Sequence, residues 1–205
     1  MLGIETPFGL ARAEVRVSGK SRGTLVLGHG AGGGIGAPDL VAVARAAESE
    51  RIGIVLVEQP YRVAGRRSPA PARQLDGAWV AVVEHLRSEV LAGAPLVVGG
   101  RSSGARVACR TAETTGAVGV LCLAFPLQPP RRTGTAPSRL EELDAVTVPT
   151  LVVQGERDPF GMPPPGPRRT VVHVRGDHSL RADPDGVAAV VASWLVELFR
   201  ISHDG

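Results

Sequence analysis

The sequence alternates between two kinds of segment along nearly its whole length, and this alternation restricts the folds open to it. Runs of valine, leucine and isoleucine on consecutive positions are typical of strands buried on both faces, as in a parallel sheet. Such runs occupy residues 23–30, 53–60, 94–100, 117–125, 148–155 and 169–176. Residues 11–17 instead alternate in character, which predicts an early antiparallel strand at the edge of the sheet.

The segments between these runs carry apolar residues spaced three and four apart, which predicts helices. The predicted helices cover residues 38–49, 75–90, 104–115 and 184–198. The last follows Asp183, a suitable N-cap, and has Pro184 at its first position. We therefore expect one α/β domain over residues 1–205, built on a doubly wound, mostly parallel sheet.

The composition argues against several classes of protein. Hydrophobic residues make up 43% and charged residues 21% of the 205 residues, as in soluble globular proteins. The net charge is only +3, the arginines are scattered, and aromatic residues are 3%, so we expect no nucleic-acid partner. The most apolar stretch, at 186–199, is too short to cross a bilayer, and we expect no membrane association.

Two further features bear on compartment and metal binding. The first ten residues lack a basic segment followed by a long apolar one, so we expect no secretory signal. Cys109 and Cys122 lie in apolar segments, where buried, reduced thiols are usual. These features predict a cytoplasmic protein. The cysteines are too far apart in sequence for a paired-ligand motif and no two histidines have ligand spacing, so we expect no metal.

Ligands of doubly wound sheets bind beyond the carboxyl ends of the strands, and one strand end here carries the motif GRSSG. It matches G-x-S-x-G with Ser102 at its centre and glycine two residues before and after. A nucleophile on a sharp turn between strand and helix needs such small neighbours. The main-chain N–H of Ser103 would then face a developing oxyanion. The alternative is a glycine-rich turn without chemistry.

The end of the strand at 23–30 reads LGHGAGGG, which is open to two interpretations. In the first, the loop supplies a second oxyanion donor from the N–H of Ala31, and His29 orients the loop. In the second, Gly28, Gly30 and Gly33 form the G-x-G-x-x-G fingerprint of a dinucleotide-binding protein, with Glu58 at the end of the next strand. The dinucleotide reading leaves the other strand ends unexplained.

The last two strands are followed by residues that suit a general base and the acid that orients it. Asp158 lies three residues beyond Gly155 and could orient an imidazole, with Glu156 as a less well placed substitute. His178 lies in the loop before the final helix and is a better general base than His173, which lies inside its strand. The order Ser, Asp, His, each just after a strand, predicts a catalytic triad.

With these residues identified, the sequence resembles the α/β-hydrolase superfamily over nearly its whole length. It is most similar to small lidless predicted hydrolases related to dienelactone hydrolase, a group that includes a subunit of the NSL histone acetyltransferase complex. The segments that carry the resemblance are LGHGAGG, GGRSSGARVA, FPLQPP, VPTLVVQGERDPFG and GDHSL. Two positions depart from the family pattern: Ser103 often corresponds to methionine, and Gln128 to histidine. The resemblance implies an α/β-hydrolase fold with the triad Ser102, Asp158 and His178.

These observations predict a serine hydrolase that cleaves a small ester or thioester without a cofactor. Tyr61 and Phe160 are candidate pocket walls. Between the strands at 117–125 and 148–155, where related enzymes insert a lid, there is room for about two helical turns near 138–145, so we expect an open site without a cap domain. A non-catalytic interaction domain of the same fold, with a protein partner, is the alternative in a different functional class.

Overall fold

Eight strands form one sheet in the computed structural model, which describes residues 1–91, 93–128 and 137–201. The strands are β1 (Leu2–Thr6), β2 (Gly9–Arg16), β3 (Thr24–Gly28), β4 (Gly53–Glu58), β5 (Leu96–Arg101), β6 (Gly119–Leu123), β7 (Thr150–Gly155) and β8 (Arg169–Val174). Their spatial order is β1-β2-β4-β3-β5-β6-β7-β8. Pairing is antiparallel from β1 to β4 and parallel from there to β8.

Helices cover both faces of this sheet, which confirms the predicted doubly wound α/β class. They are α1 (Pro38–Ser49), α2 (Pro60–Val63), α3 (Ala72–Glu89), α4 (Ser103–Thr111), α5 (Leu140–Asp144) and α6 (Pro184–Ile201). Asp183 accepts a hydrogen bond from the Gly186 N–H at 2.9 Å, as expected of an N-cap. The middle strands β3 and β6 are buried along their whole length, which explains their unbroken apolar sequences. That residues 1–205 form one domain stays a prediction.

The edge of the sheet was predicted wrongly. The antiparallel strand expected at 11–17 is β2, but β1 pairs with its outer side and is the true edge strand. Within β1 only Ile4 is buried, so the segment carries no apolar pattern for periodicity to detect. A tight turn joins the two strands, with the Thr6 hydroxyl donating to the Gly9 carbonyl at 2.7 Å.

The chain reverses its direction of winding between β3 and β5, which lie side by side at the centre of the sheet. Their glycines let the two strand ends approach closely. A Cβ atom on Gly100 would lie 2.6 Å from the Gly28 carbonyl oxygen, and one on Gly104 would lie 2.5 Å from the same atom. The loops after β3 and β5 therefore meet at the switch point, where doubly wound proteins bind their ligands.

Ion pairs fix the position of α4, the helix that follows β5 at this switch point. Arg106 and Arg110 both pair with Glu142 of α5, and Arg110 also pairs with Asp76 of α3 at 2.6 Å. The helix α5 is the short helix expected near 138–145. Residues 129–136 of the same segment between β6 and β7 lie outside the described residues.

Candidate active site

Ser102 lies on a sharp turn between β5 and α4. Its backbone has φ 52° and ψ −107°, a conformation that a residue with a side chain rarely adopts. The Ser102 N–H donates to the Leu123 carbonyl of the neighbouring strand β6 at 2.8 Å, which supports the turn. The strained turn projects the serine hydroxyl from the carboxyl end of the sheet, as in a nucleophile elbow.

The three side chains expected to form a triad lie in one hydrogen-bonded line. The Ser102 Oγ lies 2.9 Å from His178 Nε2, and His178 Nδ1 lies 2.8 Å from Asp158 Oδ2. The Asp158 side chain is 1% exposed and that of His178 is 17% exposed. Solvent therefore reaches the imidazole but not the carboxylate. This arrangement suits a base that must exchange protons while its orientation stays fixed.

Asp158 is held by two donors besides the imidazole. The Gln154 side-chain amide donates to Oδ2 at 2.8 Å, and the Phe160 main-chain N–H donates to Oδ1 at 2.8 Å. Both carboxylate oxygens thus accept hydrogen bonds from rigid parts of the chain, so the carboxylate has little freedom to turn away from His178.

Gln154 was not singled out in the sequence. Its fully buried amide nitrogen lies within hydrogen-bond distance of the Asp158 carboxylate, the Phe125 carbonyl at 3.0 Å and the Gly161 carbonyl at 2.9 Å. It therefore ties β7 to the loop that carries Asp158 and to the end of β6. The signal available in the sequence is a polar residue near the end of an otherwise apolar buried strand, LVVQG.

Among the described residues, the two predicted oxyanion donors have no backbone hydrogen-bond partner. Ser103 is the first residue of α4, where main-chain N–H groups have no partner inside the helix. In the described part of the chain, neither the Ser103 N–H nor the Ala31 N–H donates a backbone hydrogen bond. Both N–H groups are therefore available to a ligand, and their role as oxyanion donors stays a prediction.

The buried residues His29 and Tyr61 form hydrogen bonds that fix the Ala31 loop. His29 Nδ1 donates to the Gly30 carbonyl at 2.8 Å, and His29 Nε2 accepts from the Gln59 N–H at 3.1 Å. Burial lowers the pKa of His29, so the ring is neutral and suits both contacts. The Tyr61 hydroxyl donates to the Ala31 carbonyl at 2.9 Å. Both side chains are 3% exposed and support the loop from inside the protein.

The remaining residues weighed in the sequence lie at or near the same edge of the sheet. The Phe160 ring packs on the His178 imidazole, with ring centres 4.2 Å apart. Glu156 is exposed, whereas Asp158 is the carboxylate that reaches the imidazole. His173 is exposed on β8, in agreement with its assignment to the strand.

Comparison with known proteins identifies the family. A family described as "Alpha/beta hydrolase domain" matches residues 21–183, which is most of the chain. The protein belongs to this α/β-hydrolase family. No curated protein is matched by its sequence.

Solved structures share the α/β-hydrolase fold at low sequence identity. A lidless α/β serine hydrolase from Xanthomonas campestris is 18% identical and has a TM-score of 0.74, with 94% of this chain and 91% of that chain covered. An α/β serine hydrolase homologue from Coxiella burnetii is 15% identical, with a TM-score of 0.74 and coverage of 95% and 96%. Est1E from Butyrivibrio proteoclasticus, solved with ferulic acid bound, is 13% identical, with a TM-score of 0.79 and coverage of 98% and 100%.

The hydrolase fold accounts for the glycines that also matched a dinucleotide fingerprint. In that fingerprint the glycine loop opens a helix whose N-terminus faces the pyrophosphate. Here α1 begins at Pro38, five residues after Gly33. A Cβ atom on Gly28 would instead lie 3.2 Å from the Trp79 ring, so this glycine leaves room for the packing of α3 on β3. The glycine loop therefore lacks the geometry of a dinucleotide site.

The side chains and helices of the described residues bear on metal binding and membranes. Among residues 1–91, 93–128 and 137–201, no group of three or more histidine, cysteine, aspartate or glutamate side chains is placed to hold a metal ion. Over the same ranges, every helix is too short or too polar to cross a bilayer.

Proposed function

We propose that this α/β-hydrolase cleaves a small ester or thioester through an acyl-enzyme on Ser102. The observation that carries the proposal is the line of hydrogen bonds from Ser102 Oγ through the His178 imidazole to Asp158 Oδ2, at 2.9 and 2.8 Å. Ser102, where this line begins, lies on a strained turn next to two available N–H donors, as serine hydrolases of this fold require.

In the proposed reaction His178 Nε2 takes the Ser102 hydroxyl proton as the oxygen attacks the carbonyl carbon. Asp158 accepts the hydrogen bond from Nδ1 and stabilises the imidazolium. The imidazolium then gives its proton to the leaving alcohol or thiol as that bond breaks. A water molecule attacks the resulting acyl-serine, again with His178 as base, and releases the acid and the free serine.

The main-chain N–H groups of Ala31 and Ser103 stabilise the negative charge of the tetrahedral intermediates. Loss of one such donor typically lowers kcat by about 10²–10³-fold. His29 and Tyr61 contribute by fixing the Ala31 loop through the contacts at 2.8–3.1 Å described above.

An open site supports the proposal of a small acyl group. In the described part of the chain, the one helix between β6 and β7 is α5, whose Glu142 pairs with Arg106 of α4. An acyl chain bound above Ser102 would then have little apolar surface to bury, so each added methylene contributes less than the ~0.8 kcal/mol of full burial.

The two cysteines support a reducing compartment such as the cytoplasm. Cys109 and Cys122 are both buried free thiols that form no disulfide, with their sulfur atoms 3.5 Å apart. Hydrogen bonding to Cys109 and burial raise the pKa of Cys122, which keeps it a thiol.

A series of p-nitrophenyl esters from acetate to decanoate, together with acetyl and butyryl thioesters, tests the proposal. We expect kcat/KM to be highest for acetate and butyrate, and Ser102→Ala to abolish turnover. Faster cleavage of the long esters would contradict the open site. No turnover by folded wild-type protein would favour a non-catalytic interaction domain.

A further inference from the structure

Arg101, the residue between Gly100 and the proposed nucleophile, makes contacts that the proposed reaction does not explain. Its Nη2 donates to the main-chain carbonyl of His178 at 2.9 Å. Its Nε lies 3.5 Å from Asp39 Oδ2 at the start of α1. A Cβ atom on Gly30 would lie 2.8 Å from Arg101 Nη1, so the guanidinium also packs against the Ala31 loop.

Asp39 is an unusual partner because its side chain is only 1% exposed. Neither carboxylate oxygen accepts a well-formed hydrogen bond from the described residues. Burial raises the pKa of Asp39, and the charges of Arg101 and Arg181 oppose that effect. A buried carboxylate with few donors is unfavourable unless a cation lies close to it. The Arg101 guanidinium is that cation, and the ion pair fixes its position in turn.

The loop that carries His178 needs such an anchor. It follows β8, which is separated from the Ser102 strand β5 by β6 and β7. Asp158 orients the imidazole through Nδ1 but comes from the end of β7, on the same side of the site. The bond from Arg101 reaches the His178 backbone from the residue adjacent to Ser102. It therefore joins the base to the nucleophile's own turn across the whole site.

We propose that Arg101 is a positioning residue, which sets the distance between Ser102 and His178 by holding the His178 carbonyl, and that Asp39 holds Arg101 in place for this role. This inference rests on the proposed hydrolase function. A displacement of about 1 Å at a catalytic group lowers the rate by ~10²-fold. Loss of the Arg101 contact should act on kcat more than on KM, because its Nη2 and Nε are engaged by the His178 carbonyl and Asp39.

The test compares kcat and KM for p-nitrophenyl acetate in Arg101→Met and in the control Arg16→Met. Arg16 forms an ion pair with Glu14 on β2, away from the site, and its side chain is 35% exposed. We expect Arg101→Met to lower kcat by ~10²-fold with KM nearly unchanged, and Arg16→Met to match the wild type. Wild-type kcat in folded Arg101→Met would overturn the inference.

Two further variants separate positioning from simple stabilisation. Arg101→Lys keeps a charge beside Asp39 but loses the planar fork that reaches two partners, so its kcat should also fall. In Arg101→Ala, millimolar guanidinium chloride should restore much of the lost kcat while the unfolding temperature stays constant. Wild-type kcat in Arg101→Lys, or no recovery with guanidinium in folded Arg101→Ala, would overturn the positioning role.

The wild type and Ser102→Ala are assayed in parallel. Turnover by the wild type that is lost in Ser102→Ala, together with an unaffected Arg101→Met, would overturn this inference alone. Absence of turnover in the wild type would overturn the proposed function and this inference with it.

Discussion

The Gln154 amide and the His178 imidazole donate to the same oxygen of Asp158, each at 2.8 Å. The Asp158 carboxylate is therefore held by Gln154 of β7 and is hydrogen-bonded to the proposed base, His178. The same amide is shared with two main-chain carbonyls, of Phe125 and Gly161. This buried connection makes the position of the acid depend on β7 as much as on its own loop.

Gln154→Leu should lower both stability and activity. The change removes a hydrogen bond to a charged group and leaves the Gly161 carbonyl without its Gln154 donor, which typically destabilises by about 2 kcal/mol. We expect kcat/KM to fall by about tenfold, equivalent to ~1.4 kcal/mol of transition-state stabilisation. Urea unfolding and ester kinetics measure the two effects. Gln74→Leu, at an exposed position on α3, is the control and should change neither quantity.

Gln154→Glu should introduce a pH dependence that the wild type lacks. Two carboxylates at this distance share one proton, which bridges them much as the amide does. As pH rises, the pair loses that proton, the two charges repel, and Asp158 moves away from His178. We expect kcat/KM of this variant to decline at alkaline pH. A profile parallel to that of the wild type would show that Gln154 does not position the acid.

Asp158→Asn tests the choice of acid. An asparagine can keep the size of the side chain but favours the wrong tautomer of the base, and the corresponding change in a Ser-His-Asp triad lowers kcat by ~10⁴. Glu156→Gln is the matched control, since Glu156 is exposed two residues away. We expect it to leave kcat unchanged. Equal losses in the two variants would contradict the assignment.

His29 should make stability depend on pH. Its pKa is lowered by burial, so the unfolded chain binds this proton at higher pH than the folded chain does. The folded state is therefore penalised as pH falls below about 6.5, by at most ~1.4 kcal/mol per pH unit. His29→Asn cannot be protonated and can keep a donor toward Gly30.

Urea unfolding at several pH values between about 5 and 7 measures the effect. The free energy of unfolding should fall less steeply with decreasing pH in His29→Asn than in the wild type. His173→Asn, at an exposed position on β8, is the control and should keep the wild-type slope. Equal slopes in all three proteins would show that His29 is not held neutral by the fold.

The sequence predicted the parts of the site that depend on strand ends. Ser102, Asp158 and His178 each follow an apolar run, and parallel strands bring such positions to one edge of a sheet. The proximity of their side chains could be expected for that reason, while their catalytic roles stay predictions.

The contacts of Arg101 and Gln154 could not be predicted, unlike that of His29 with its own loop, because they depend on distances between segments far apart in the chain. Arg101 and Gln154 act through partners whose positions follow only from packing of the sheet. The edge strand β1 was missed because only Ile4 among its five residues is buried. Sequence periodicity detects a strand through its buried face, and an exposed edge strand has little of one.

Labelling with a fluorophosphonate serine probe tests the central claim most directly. The wild type and Ser103→Ala should both be labelled, because only the main-chain N–H of Ser103 has an assigned role and alanine retains it. Folded Ser102→Ala should not be labelled. Labelling that persists in Ser102→Ala, or a folded wild type that does not react, would contradict an activated nucleophile at Ser102.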